Sequence, residues 1–457
     1  MANEQTDDLP PSIGRLGADL RSGKITAEAV TAGFLQKIGA SNPKLSAYAH
    51  VAHEQALQAA RRVDALLRQG VDLGPLMGVP MGVKDLFSVE GMPTAAGSRA
   101  DLTGLVGGEG PFIRKLKQMG SIVLGKTRTT EFAMGTFNLT HPTPWNPIDP
   151  SRKHMPGGSS SGSAVAMAAG LCAFSVGGDT GGSVRQPAAF CEVVGYKASA
   201  ALWPLEGIFP LAPTLDSIGL FTRNMDDLDL IAAALGGAAM PAWQLDGARV
   251  GLPERVFCDG LDPEVEAAFN KVLDALKRAG AVFKSMDLPG TERVAETFGR
   301  GVPAEFLGFF GRERFMKNRG LLDPVVWSRA SAALDYPADL YLHLLRERHG
   351  LQEQARRILS EVDVAIMPTS PALPVPADSV GDVDAVVAWN ARALRNTQPI
   401  NLLGLCGVSL PIPAAYCAGA RGIGLQLVCR NGEDGALLAM ARAVEAVLAR
   451  GQAPDWV

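Results

Sequence analysis

Three short stretches of this chain hold residue types that can do chemistry together. In "GGDTGGSVRQPAAFC", Gly177 to Cys191, Ser183 stands directly after a glycine pair that follows a β-rich run. Consecutive glycines let several backbone N–H groups point at one spot, which suits a developing oxyanion. Ser183 then occupies the place of a nucleophile, although a tight glycine turn with a satisfied hydroxyl explains the same residues. In "PGGSSSGSAVAMAAG", Pro156 to Gly170, the opening Gly/Ser run has the composition of a flexible linker. A helix-forming run and then a β-rich run follow at once, so these glycines feed a buried element. Two readings stay open: a loop packed closely beneath other backbone, or an active-site loop at a helix N-terminus, where unsatisfied amides favour negative charge. In "LMGVPMGVKDLFSV", Lys84 lies within an apolar run. A buried ammonium is costly unless it is paired or neutral, and desolvation turns a lysine toward a base working near neutral pH. A salt bridge to Asp85, or a side chain snorkelling from a strand end, is the plainer explanation.

Other motifs lack their context. Gly158-Ser159-Ser160-Ser161-Gly162 fits G-x-S-x-G, the nucleophile elbow of α/β-hydrolases, but an elbow follows a buried strand. Here "NPIDPSRKHMPGG" precedes it, polar and broken by prolines, and His343 and His349 are the only histidines downstream. His349, in "LRERHG", belongs to a charged, solvated helix end. No GK[ST] follows the glycines, so a P-loop is excluded.

The elements that must position these residues alternate. "TAEAVTAGFLQKIGA" and "EQALQAARRVDALLRQG" have helical spacing, the second ending at Gly70. Short apolar runs bounded by Gly and Pro then read as strands: "GVPMGVKD", "SIVLGK", "CAFSVGG", "CEVVGYK", "ARVGLP", "AVFKSMDL", "VDVAIMP", "GVSLPIP" and "GIGLQLVC". Between and after them lie helical patterns such as "DPEVEAAFNKVLDALKRAG", with Asp262 as N-cap before Pro263, and "EDGALLAMARAVEAVLARG". The expected fold class is α/β: a central mixed, largely buried β-sheet with helices on both faces. One domain is expected over 1–457, with 1–10 mobile and 239–363 a more helical peripheral subdomain. "MPTSPALPVPADS" reads as an irregular loop leaving a strand end.

Composition narrows the function. Apolar residues make up 47% and charged residues 20%, and the formal net charge of −4 supplies no basic field for nucleic acid. The six cysteines are scattered without a CxxC pair or a histidine at ligand spacing, so neither a metal nor a disulfide framework is expected. The N-terminus is polar and acidic, and no uninterrupted apolar run approaches the ~18 residues of a membrane span. A cytoplasmic protein without membrane or nucleic-acid partners is expected.

Taken in order and spacing, "GVPMGVKD", "PGGSSSGSAVAMAAG" and "GGDTGGSVRQPAAFC" resemble the amidase signature family of Ser-Ser-Lys hydrolases. The resemblance extends to "GKTRTTEFAMG", "MPTSP", "TQPINLLGL" and "GIGLQLV" and covers the chain from about Lys24 to Leu448. It implies Ser183 as nucleophile, Ser159 as a bridging serine preceded by a cis peptide bond, and Lys84 as general base. It also implies an oxyanion hole of the amides of Thr180, Gly181, Gly182 and Ser183, with the backbone of Ala133 facing the substrate. Acyl transfer would then proceed without histidine, metal or organic cofactor. The implied substrate is a small amide, carbamate (urethane) or ester, cleaved by a monomer or homodimer. The same family includes a component of tRNA-dependent amidotransferase complexes, the A subunit, which is the alternative. The sequence departs from the family at Ser161-Gly162 in place of a glycine pair, at "KASAALWPLEG" after the nucleophile segment, and at Arg128, where asparagine is frequent. No charged residue is placed as a carboxylate anchor. Trp203, Phe132 and Phe137 are candidates for an apolar pocket, which points to a hydrophobic or aryl amide or carbamate.

Overall fold

Runs rich in Val, Ile and Leu and broken by Gly and Pro are too short for helices, and they pair into one sheet. A computed structural model describes residues 11–236 and 243–450. Its strands are β1 (Tyr48–Val51), β2 (Pro80–Lys84), β3 (Ile122–Thr127), β4 (Phe174–Asp179), β5 (Val194–Lys197), β6 (Ser217–Thr222), β7 (Arg249–Pro253), β8 (Val282–Met286), β9 (Val364–Pro368), β10 (Cys406–Pro411) and β11 (Gly424–Cys429). They form an 11-stranded sheet in the order β1-β3-β2-β4-β6-β5-β10-β11-β9-β7-β8. Parallel pairs toward each end (β3, β2 and β4; β9, β7 and β8) flank an antiparallel centre. Every residue of β2, β3, β5, β6, β9 and β11 is buried, as expected of strands covered on both faces.

Of the stretch 239–363, residues 239–242 lie outside the described residues, as do 1–10. The remainder supplies β7 and β8 at one sheet edge and the helices Pro263–Arg278, Val302–Phe310, Pro324–Ser331 and Ala338–Leu359. Among the described residues no helix is long and apolar enough to cross a membrane.

Two features of this fold bring the three stretches together. First, β2 and β4 are parallel neighbours, with Val83 opposite Val176, so Lys84 at the end of one and Asp179 at the end of the other emerge on the same side. Carboxyl ends of adjacent parallel strands are where open α/β sheets gather their ligands. Second, the Gly/Ser run is buried throughout and leads into the buried helix Ser161–Ala168, which packs against β2 and β4. A side chain at Gly162 would put its Cβ 2.3 Å from the Ala47 carbonyl oxygen and 2.4 Å from the Arg128 amide nitrogen, so glycine is required there. That answers the linker reading: the run is a packed loop.

Candidate active site

Lys84 is fully buried, and its Nζ donates to Ser159 Oγ at 2.8 Å and to the Gly178 carbonyl at 3.3 Å. The salt bridge to Asp85 does not form. Asp85 is taken by Lys126, whose Nζ lies 2.9 Å away. Burial therefore acts on Lys84 without a contacting carboxylate and draws its pKa down to about 7, with the charges of Asp179 and Asp216 acting the other way.

Ser159 is fully buried and follows a cis Gly158–Ser159 peptide bond. The loop is tied on both sides: Thr130 N donates to the Ser159 carbonyl (3.2 Å), and Gly158 N donates to Gln186 Oε1 (3.0 Å). Ser160 N donates to the Ser183 carbonyl at 3.2 Å, which fixes the serine loop against the second glycine stretch. Ser183 is 5% exposed. Its hydroxyl makes no hydrogen bond among the described residues, an open arrangement that catalytic groups commonly show before substrate tightens it.

Asp179 organises the turn that carries Ser183. Its carboxylate accepts from Gly182 N (2.8 Å), Val184 N (3.1 Å), Arg185 Nε (3.1 Å) and Asn401 Nδ2 (2.9 Å). Burial works against that charge, but the Arg185 guanidinium and these bonds hold the carboxyl well below the usual range. One expectation is corrected here. The Gly182 amide, expected in the oxyanion hole, is consumed by Asp179 Oδ1; the amides of Thr180, Gly181 and Ser183 have no partner among the described residues. Gly182 has φ +117, and a Cβ there would lie 1.9 Å from Thr397 Oγ1, so no other residue fits. Thr397 Oγ1 in turn donates to the Gly181 carbonyl at 2.8 Å.

Beside these groups lies a cavity of about 760 Å³ whose walls include Lys84, Ala133, Thr180, Trp203, Phe209 and Asp216. Ser183 is not among its walls. Ala133 reaches the cavity through a left-handed backbone, φ 60. Asp216 is half-buried, accepts from Thr180 Oγ1 (2.6 Å) and from the amides of Leu211 (3.0 Å) and Ala212 (3.1 Å), and desolvation raises its pKa to about 7. Trp203 lines the cavity, in the segment where the sequence departs from the family. Phe132 and Phe137 do not. Phe132 stacks in the core with Phe209, Phe306 and Phe310, at centroid distances of 5.1, 5.1 and 5.0 Å, and Phe137 packs with Met155 and Val325. The adjacent Ala133 carries the backbone past that aromatic core, so the ring beside it points inward.

His343 and His349 are exposed on the helix Ala338–Leu359 and make no hydrogen bond to either serine loop, so the elbow has no base. The cysteines are free thiols, buried except for the half-buried Cys258. Among the described residues no group of His, Cys, Asp and Glu is arranged to hold a metal ion. Sequence reasoning missed Asp216, Thr397, Asn401 and the organising part of Asp179. For Asp179 a signal existed, since an acidic residue just before a glycine pair can satisfy the turn's own amides. Thr397 and Asn401 lie in "TQPINLLGL", a segment the resemblance covers without giving either residue a role, and Asp216 is marked by nothing in its neighbourhood.

The family model described as Amidase matches residues 29–438 of this chain. A 2-amino-5-chloromuconic acid deaminase from Comamonas testosteroni is 37% identical, over 97% of each chain. The A subunit of the glutamyl-tRNA(Gln) amidotransferase from Chloroflexus aggregans is 32% identical over 96% of this chain and 95% of its own. A crystal structure of an amidase superposes with TM-score 0.86 at 32% identity, covering 95% of this chain and 99% of the other.

Proposed function

The chain belongs to the amidase family and is an enzyme that hydrolyses carbon–nitrogen bonds, and on that premise we propose that it does so through an acyl-enzyme on Ser183. Neutral Lys84 accepts the Ser159 hydroxyl proton while Ser159 accepts that of Ser183. The Ser183 oxygen then attacks the amide carbonyl, and the amides of Thr180, Gly181 and Ser183 take the charge of the tetrahedral oxyanion. On collapse the C–N bond breaks, and the relayed proton returns to the departing nitrogen. Water next adds to the acyl-enzyme through the same relay, releasing the carboxylic acid and restoring the Ser183 hydroxyl. The observation that carries this reading is the 2.8 Å Lys84 Nζ to Ser159 Oγ contact, made by a buried lysine with no contacting carboxylate.

The substrate side is read from the cavity beside Lys84. Its apolar walls, Trp203, Leu205, Ile208 and Phe209, support a hydrophobic or aryl amide or carbamate, urethane-type bonds included. The 37% identical relative is named as a deaminase, a reaction that also breaks a carbon–nitrogen bond. The enzyme acts on this small molecule as a cytoplasmic monomer or homodimer. A second reading, a component of a tRNA-dependent amidotransferase complex, is favoured by the 32% identical relative of that name.

One experiment tests both readings. The purified chain is treated with an aryl sulfonyl fluoride and peptide-mapped, beside assays on a nitroanilide amide and a small carbamate. Label on Ser183 with release of amine by the chain alone is the expected result. Label on Ser160 would overturn the assignment, and turnover only after a partner protein is added would favour the amidotransferase reading.

A further inference from the structure

Arg329, on the helix Pro324–Ser331, is a half-buried cation without a counter-charge. Among the described residues it meets no carboxylate, and its guanidinium makes one long hydrogen bond, from Nη2 to the Phe298 carbonyl at 3.4 Å. Burial draws its pKa down to about 10, which still leaves it charged at neutral pH. An isolated, desolvated charge of this kind is costly to keep, and structures normally pair it.

A second donor stands beside it. Asn390 is 5% exposed; its Oδ1 is occupied by Thr136, accepting from the amide at 3.0 Å and from Oγ1, while its Nδ2 is buried without an acceptor. Thr136 therefore fixes which end of the Asn390 amide faces away. Both free donors converge over Gly135, at φ +102, where a methyl group would come 2.9 Å from Asn390 Nδ2 and 3.4 Å from Arg329 Nη1. At those distances the two donors already close on the Gly135 backbone, which is why no side chain fits between them.

The position is beside the proposed reaction centre. Thr136 packs on Gly158, where an added Cβ would lie 2.8 Å from the Thr136 carbonyl oxygen, and Gly158 precedes Ser159. On the other flank the Phe298 ring closes on Gly181, with Cε1 2.6 Å from an added Cβ. Arg329 thus spans the two segments that border the Ser159 and Ser183 loops.

We propose that Arg329 and Asn390 form a recognition site for a carboxylate carried by the amide substrate. The inference rests on the hydrolytic reading above and names the substrate class: the monoamide of a dicarboxylic acid. A planar guanidinium and an amide N–H₂ offer donors only, and an ionised carboxylate is an acceptor only, so the match is complete in sign and in hydrogen-bonding sense. A neutral substrate of the same shape leaves both donors unpaired, which is how buried polar groups reject the wrong ligand.

The test pairs malonamate, succinamate and adipamate with neutral alkyl amides of matching length, and reads the ratio of kcat/KM, acid over neutral, for each pair. That ratio is independent of how much of a variant is folded. The wild-type protein is expected to favour at least one acid by roughly tenfold or more. Arg329→Gln should collapse the ratio mainly through KM, and Arg329→Lys should restore part of it. Asn390→Asp, which keeps the oxygen that holds Thr136 and replaces the free donor by a charge, should collapse it as well. A wild-type ratio near one for every pair, or a ratio that survives Arg329→Gln, overturns the proposal. Titration calorimetry with free malonate, succinate and adipate separates the two readings. Dicarboxylate binding lost in Arg329→Gln, with no turnover of any amide, would sustain the carboxylate site and sink the hydrolytic reading; no binding and no turnover would sink the site.

Discussion

Arg185 Nη2 and Asp179 Oδ1 meet at 3.0 Å as an ion pair with neither side chain exposed. The same Asp179 oxygen accepts the Gly182 amide at 2.8 Å. One carboxylate thus ties the turn that carries Ser183 to the short helix Arg185–Phe190 that follows it.

Removing that carboxylate should cost stability and activity together. Asp179→Ala leaves a buried guanidinium uncompensated, a change worth about 3–5 kcal/mol. A lowered melting temperature, with kcat reduced in whatever fraction stays folded, is the expected outcome, read by calorimetry and active-site titration.

The serines should separate sharply. Ser183→Ala should abolish turnover with the fold intact, and Lys84→Ala should do nearly the same. Ser159→Ala removes a proton relay and should lower kcat/KM by about 10²–10⁴. Ser160, whose Oγ donates to the Gly178 carbonyl at 3.1 Å and accepts from the Gly178 amide at 3.4 Å, loses only these contacts to one residue on change to Ala and should retain far more activity. Steady-state kinetics with circular dichroism as a fold control decides the order.

The pH profile follows from Lys84. The base must be neutral, and its pKa is near 7, so kcat/KM should rise with pH through about 7 and fall below it. The negative charge of Asp216 favours protonated Lys84, so Asp216→Asn should move that acid limb to lower pH. A limb that stays in place, or moves up, would remove Asp216 from the electrostatics of the site. Because the two groups interact, the limb reports the pair.

Trp203 should set preference for ring-bearing substrates. It lines the cavity and packs on Phe112, with centroids 5.0 Å apart. Trp203→Ala should reduce the preference for aryl over alkyl amides by up to about tenfold. Efficient turnover of malonamate with none on aryl amides would overturn the apolar half of the substrate reading.

The fold was largely legible because its strands are short apolar runs with Gly and Pro at their ends. Nine such runs became β2 to β5 and β7 to β11. The two strands not anticipated fail for physical reasons. β1 is a four-residue edge strand of mixed character, "YAHV", and β6, "SIGLFT", follows a Pro-rich stretch and carries a central glycine. At Gly219 that glycine is needed because a Cβ would come 2.6 Å from the Tyr196 carbonyl oxygen.

At the candidate site, Lys84 and Ser183 stood out because each sits in a local pattern that is odd for its residue type, while Ser159 was singled out among its neighbouring serines by the family resemblance alone. Arg329, Asn390 and Asp216 did not stand out. Each has an ordinary neighbourhood in sequence, and each becomes unusual only through contacts made by distant segments. Arg329 is odd for the partner it lacks, which no local pattern can express. Phe132 failed in the opposite direction, since its aromatic character suits a pocket wall and a core equally.

The burial of the Gly/Ser run also bears on anyone who engineers this protein. By composition, Pro156 to Ser163 is the obvious place to nick the chain, insert a tag or divide the gene into two complementing halves. In three dimensions it is among the worst. Its glycines are spaces already filled by neighbouring backbone, so a graft there would cut the reaction centre from the helix that supports it. The solvent-facing side of the helix Ala338–Leu359, away from the buried Leu344, Arg348, Ala355 and Leu359, is the more forgiving surface on which to work.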